Sequence, residues 1–581
     1  MAGTEPGETG YDERTNGGVD SGRREFLKYS GMAAVGSAVS LAGYAGADEH
    51  DEDEDDEEGE EDEGLREFDE ELPDDPTRDE LLQYANGLSN ALAPWVFLHQ
   101  QFSIYGVNDD LDWEAREDED INATEIETDQ EEVTITQGTF ATTLDPNGHN
   151  DTPTYNFLDQ AYEPVLYRDD DGRVIANIAT DFERVDETTI ELEIEDDIVF
   201  HSGNEMTAED VAFSINRTND LDVSDQAGVV GEIEEARAED DDVVVDLEIV
   251  EPAIFRNLAA FGRVMEEEWV EEREPGEIAE DINGTGPYEL EEFVDDTRVA
   301  YERFDDYWGE EPEIERVVMN SAPEEGTRVD RLLTGESDLI VNVDPRDIPE
   351  IQDADGIRIE ETPSIRSIFL VMNDVHEPFD SREFRQAMNF AVDVEAIIDS
   401  LLAGFGEPTS QPTLEGHFGH NPDVEPYGHD PERAEGLVEE SGYADEEITI
   451  HTTTGRYLRD TDVAEAAASQ IDDLENVTAE AEFRETGELF AETLDGDQET
   501  SPAIFLIGWG NPTFDANYTM QPWFDDPVFQ HYTNEELTDL VQQSNEIVEE
   551  DEEDEMDNEE DEMDDDDEDE MGDDEDDDTQ D

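Results

Sequence analysis

The chain has 581 residues, 172 of them Asp or Glu against 29 Lys or Arg, for a net charge of −143, and it has no cysteine. That balance excludes a basic nucleic-acid footprint, and the missing thiols exclude disulfides, Cys-ligated zinc and Cys nucleophiles. The single lysine, Lys28, excludes a P-loop and disfavours Schiff-base chemistry. With 35% apolar residues and 41 Gly, the chain still buries two or three cores. Acidity spread along the whole sequence points to a salty medium. At molar salt the screening length shrinks to about 3 Å and such a surface becomes tolerable.

In chain order, residues 21–47 carry Arg23-Arg24, then Phe26, Leu27 and Lys28, then a mild apolar run to Ala45. This pattern predicts a twin-arginine export signal, with Ala45-Gly46-Ala47 as its cleavage site. Tyr44 stands where a lipobox needs Cys, so no lipid anchor forms through cysteine. Residues 48–76 read as an acidic disordered linker and 549–581 as an acidic disordered tail, because neither buries enough apolar area to order itself. From Thr77 to about Asn90, Leu81, Leu82, Ala85 and Leu88 fall at helical spacing. A short strand follows at 93–98, then another around 103–107. Strands and turns begin at Val133, and 188–200 alternates as a half-buried strand does. Thr207 precedes acidic residues and an apolar face, the start of a helix over 207–217. A second αβ alternation runs from about 346 to 500. The predicted class is mixed α/β in two lobes.

Enzyme signatures are missing: there is no HExxH and no G-x-S-x-G. His417 and His420 form one close pair in a Gly/Pro-rich loop without two further ligands nearby, so a loop role is expected and no metal or cofactor. Carboxylate pairs cannot be singled out among 172 acids.

Longer strings are more informative. YEPVLYRDDDGRVIANIATDFERVDETTIELEIEDDIVFHSGNEMTAEDVAFSINR (162–217), GTGPYELEEF (284–293), FDDYWGEEPEIERV (304–317), RVDRLLTGESDLIVNVDP (328–345), MNDVHEPFDSREFRQAMNFAVDVEAII (372–398), HDPERAEGLVEESGY (429–443) and GWGNPTFDANYTMQPWF (508–524) follow one another in order. Together they resemble the extracytoplasmic solute-binding proteins of ABC transporters, family 5, the dipeptide/oligopeptide/nickel-binding group, in a haloarchaeal-type acidic form. The resemblance implies a two-lobed periplasmic-binding-protein-like fold (type II, cluster C) with mixed sheets and a hinge. On it, 130–360 forms the first lobe, 361–500 the second, and 501–548 returns to the first. In GTGPY, Gly284, Gly286 and Pro287 are expected to form a structural turn.

One departure matters. The family's closing helix and "A-P-W-…-F-L" strand are found here near the front, as RDELLQYANGLSNALAPWVFLHQQFSIYGVNDDLDWEAREDEDI (78–121). The chain therefore resembles a circularly permuted member, with 77–121 as the displaced C-terminal segment of the first lobe, packing beside 508–547.

The resemblance also implies lobe closure over a peptide or similar small solute, handed to a separate permease and ATPase by a monomer outside the cytoplasm, without catalysis. Asp515 is the implied receptor for a ligand ammonium, with Trp509 and Asn511 beside it; a turn cap is the other reading of Asp515. Arg456, or failing it Arg459, is the implied carboxylate partner; an interlobe ion pair is the other reading of Arg456. Binding of a sugar or metal chelate on the same scaffold, or a cell-surface interaction role, are the competing functions.

Overall fold

The computed structural model describes residues 65–548 apart from 69, 150, 170–171, 221–222, 228, 241, 494–495, 497 and 527–528. The export signal and both extreme acidic segments lie outside the described residues. Among the described residues no helix is long and apolar enough to cross a membrane.

A helix, α1 (Arg78–Leu92), opens where the sequence places it. Thr77 accepts from the Glu80 N–H, the Glu80 carboxylate accepts from the Thr77 N–H, and Asp79 and Glu80 sit in the first turn. This reciprocal cap satisfies donors that would otherwise be orphaned. The helix stops at Ala93, which takes a left-handed φ of 50° ahead of Pro94. The two short strands expected next are one long strand, β1 (Trp95–Asn108).

The large sheet continues with β2 (Glu132–Gln137), β3 (Tyr288–Val294), β4 (Arg298–Arg303), β5 (Arg316–Ser321), β6 (Leu339–Val341), β7 (Ile357–Met372), β8 (Glu446–Thr452), β9 (Val477–Phe483) and β10 (Ile504–Gly510), in the order β9-β8-β10-β7-β1-β6-β2-β5-β4-β3. Strands β1 and β7 pair antiparallel along nearly their whole length, from Trp95 opposite Val371 to Asn108 opposite Ile357. Their far ends serve different lobes. At the Trp95 end, Arg366–Met372 of β7 pair with β10, whereas at the other end Tyr105–Val107 of β1 pair with β6. Register shifts at Phe97/His99 and Gln100/Phe102 interrupt the ladder between the two halves. Such irregularities bend and twist a strand locally, which places the hinge there.

The first lobe adds a separate four-stranded antiparallel sheet built from Ala179–Asp186, Thr189–Ile194, Asp242–Leu247 and Ile233–Glu239. The helix Ala208–Thr218 packs on it, capped by Thr207 and Asp210 as the sequence predicts. The Gly284–Pro287 turn is structural, as expected. A Cβ on Gly284 would stand 2.0 Å from the Ala161 carbonyl oxygen, so the close backbone crossing requires glycine.

Three expectations need correction. First, 501–548 does not return to the first lobe. Strand β10 pairs with β7 and β8, and Phe505, Trp523 and Leu540 share the second lobe's core. Second, α1 and the first half of β1 belong to the second lobe as well. Leu81, Leu82 and Trp95 join that same core, and Trp95 stacks on Phe369 at 3.8 Å. Apolar burial decides this, because α1 packs on the helix Glu535–Ser544. Only 105–121 goes with the first lobe, through Tyr105, Leu111, Trp113 and Ile121, whereas Ile104 still joins the second lobe's core. Third, the acidic linker is ordered from residue 65. Arg66 donates to the Glu425 and Pro426 carbonyls and stacks over Tyr427, while Phe68 meets Tyr84 edge-on.

Candidate functional site

Between the lobes lies a cavity of ≈ 130 Å³, and a second of ≈ 210 Å³ opens inside the first lobe. Asp118, Asp120, Arg168 and Arg263 line both. The second lobe contributes an aromatic wall of Phe490, Trp509 and Phe529, faced by Tyr155 of the first lobe. Ile365 and Arg366 of β7 lie at the pivot.

The segment after β1 carries the acids into this space. Its backbone is clamped by amide side chains of the helix Thr152–Leu158 and the turn behind it. Asn156 Oδ1 accepts from the Ile121 N–H, Asn156 Nδ2 donates to the Glu119 carbonyl, and Gln160 Nε2 donates to the Ile121 carbonyl. Glu119 sits at a left-handed φ of 68° between the two aspartates, a conformation uncommon outside glycine, asparagine and aspartate.

Each charged group has a distinct environment. Burial would raise the Asp118 carboxyl, but Arg116, at 2.8 and 3.0 Å, and Arg168, at 3.7 Å, outweigh it and hold it below the ordinary carboxylate range. Burial pushes the Asp120 carboxyl up to about 8, and repulsion from Asp118 and Asp159 adds to the shift. Arg263 makes a two-pronged pair with Asp159 and stacks over Tyr155 at 4.1 Å. Arg366 reaches Glu119 at 3.3 Å.

Of the residues implied by the sequence, Trp509 and Arg456 line the interlobe cavity together. Trp509 is held edge-on against Trp523 and Phe529, and its Nε1 is buried without a hydrogen-bond partner. Arg456 stacks over Phe490 at 4.4 Å, and burial lowers its guanidinium to about 10. Arg459 instead pairs with Asp462 and donates to the Leu401 carbonyl.

Asp515 and Asn511 stand behind the wall, which corrects the expectation that they meet a ligand. Asp515 is fully buried and receives both terminal nitrogens of Arg78 at 2.8 Å. It also caps the helix Ala516–Phe524 by accepting from the Asn517 N–H. Burial opposes ionisation there, but Arg78 overcomes it and keeps the carboxyl below its usual range. Asn511 closes the turn, donating to the Asp515 carbonyl and Thr519 and accepting from Thr513. His417 is buried against Phe514, and no group of His, Asp and Glu among the described residues is arranged to hold a metal.

Sequence reasoning missed Asp118, Asp120 and Arg168. The two aspartates sit in Glu117-Asp118-Glu119-Asp120, where no local signal separates them from the other acids.

Two lobes, two crossing strands and a lined cleft describe a clamshell binder. A family model described as "Bacterial extracellular solute-binding proteins, family 5 Middle" matches residues 173–530. The chain belongs to this family. The dipeptide-binding protein of Escherichia coli (strain K12) is 29% identical over 264 residues, 42% of this chain and 49% of that protein, so the chain spans about half of that relative's length in the match. A glutathione-binding protein, GsiB, of Pectobacterium atrosepticum is 25% identical over 403 residues, covering 68% of this chain and 77% of its own. Among solved structures, the periplasmic binding protein DppA of Helicobacter pylori with peptide STSA superposes with TM-score 0.60 at 21% identity, covering 73% of this chain and 88% of its own. NikZ of Campylobacter jejuni with Ni(L-His) gives TM-score 0.61 at 18% identity, covering 74% and 89%. These likenesses establish the type II periplasmic-binding fold.

Proposed function

We propose that this protein captures a short peptide, or a small solute of similar chemistry, outside the cytoplasm and presents it to an ABC importer's permease and ATPase. The observation that carries this reading is the interlobe cavity itself, with aromatic walls and charged ends contributed by both lobes. A ligand touching both lobes gains contacts only when they close, so binding favours the closed form. Peptide-binding relatives support the ligand class. The protein acts as a monomer and turns nothing over; export by the twin-arginine route suits a chain that folds in a salty cytoplasm. We also infer a circular permutation, supported by the seating of α1 on the helix Glu535–Ser544.

The test is mass spectrometry of what co-purifies with protein made in high salt, followed by calorimetry with the recovered species. Short peptides bound without cleavage support the reading. A sugar or a metal chelate recovered instead replaces it with a non-peptide ligand on the same scaffold.

A further inference from the structure

Resting on the peptide reading above, we propose that Asp120 and Arg168 form the receptor for the ligand's free amino end, the ammonium on Asp120 and the first carbonyl oxygen on Arg168. This moves the amino-end site from the wall behind Trp509 to the neck between the two cavities, on the first lobe.

The assignment follows from which charges are already satisfied. Asp118 is held by Arg116 and approached by Arg168. Asp151 caps the helix Thr152–Leu158 and accepts from Thr154. Asp159 takes Arg263, and Asp515 takes Arg78. Among the described residues, no hydrogen bond reaches the Asp120 carboxylate, yet it lines both cavities. Arg168 is the second, independent observation. It is 9% exposed, lines the same two cavities, and its buried Nη1 has no hydrogen-bond partner. A carboxylate and a guanidinium N–H left open on the same two cavities match an ammonium followed by a carbonyl. A cation there would also relieve the repulsion that Asp118 and Asp159 impose on Asp120. The left-handed Glu119 between the aspartates fits the same picture, since strained backbone at a ligand site is repaid by the contacts it sets up. The aromatic wall is then left for the first side chain.

The experiment compares retention of a free dipeptide library and its N-acetylated counterpart, in high salt, by wild type and Asp120→Asn. Wild type should retain the free library, and acetylation should lower retention at least about tenfold, as expected for a charge-assisted hydrogen bond. D120N should lose the same factor for free dipeptides and nothing for acetylated ones, while its melting temperature stays near that of wild type because, among the described residues, the substitution breaks no hydrogen bond or ion pair of the Asp120 side chain. Free peptides retained equally well by D120N would overturn the assignment and leave the peptide reading intact. Equal retention of both libraries by wild type would overturn it without any variant. No retention of either library would defeat the peptide reading, and this assignment with it.

Discussion

Asp515 shows how a residue can be legible in type and misplaced in role. The sequence marks it as a carboxylate after a Gly-Trp strand, but its two oxygens are consumed by a residue 437 positions away. No local pattern announces such a partner. Breaking this pair strands a buried charge, which costs about 3–5 kcal/mol. Asp515→Ala is therefore expected to lower stability by that amount in denaturant unfolding, and ligand affinity of the folded fraction should hold. His417 gives a second test at this scale. Burial lowers it to about 3, with Arg256 adding to the shift. The unfolded chain takes its proton near pH 6.5 and the folded one only near 3, so the histidine removes stability as pH falls through that window. His417→Leu should gain on wild type by up to about 1.4 kcal/mol per pH unit below 6.5, measured as the difference between paired unfolding curves.

At the scale of elements, helices with explicit caps were readable. Thr77 with Glu80 and Thr207 with Asp210 fix two helix starts within a residue, because capping is decided by neighbours in sequence. The extent of β1 was not readable. His99, Gln100 and Gln101 interrupt its apolar run, yet they are buried at the pivot, where Gln100 Nε2 donates to the Ser364 carbonyl. Polar residues in a strand's middle signal a loop unless the partner strand is known. The Gly284–Pro287 turn was legible because its demand is local. Gly284→Ala drives a methyl into the Ala161 carbonyl, and overpacking of this kind costs about 1–3 kcal/mol or more. Thermal unfolding of G284A should show that loss.

For the whole molecule, the two-lobed class was plain from the order of the family strings, whereas the lobe boundaries depended on which core each segment joins. The segment from residue 65 shows why. Its composition is acidic, but Leu65 and Leu72 pack on the second lobe and Arg66 docks on backbone carbonyls. Removing residues 1–64 should leave the unfolding midpoint in place, whereas removing 1–76 should lower it. The charge of −143 makes a broader forecast. Self-repulsion is screened as the Debye length falls from about 10 Å at 0.1 M to about 3 Å at 1 M, so the melting temperature should climb steadily over that range of KCl.

The paired crossing strands also govern what a ligand can accomplish by binding. On the closure proposed above, the lacing of β1 and β7 through the pivot would leave Ile365 and Arg366 nearly stationary, while Asp120 and Trp509, on opposite lobes, would approach each other. Contacts near the axle are worth the same in the open and closed forms. Only contacts at the jaws differ between them, and a solute can shift an equilibrium no further than its preference for one state. A small molecule that settled against Arg366 alone would therefore be held without favouring closure, a matter of leverage rather than of affinity.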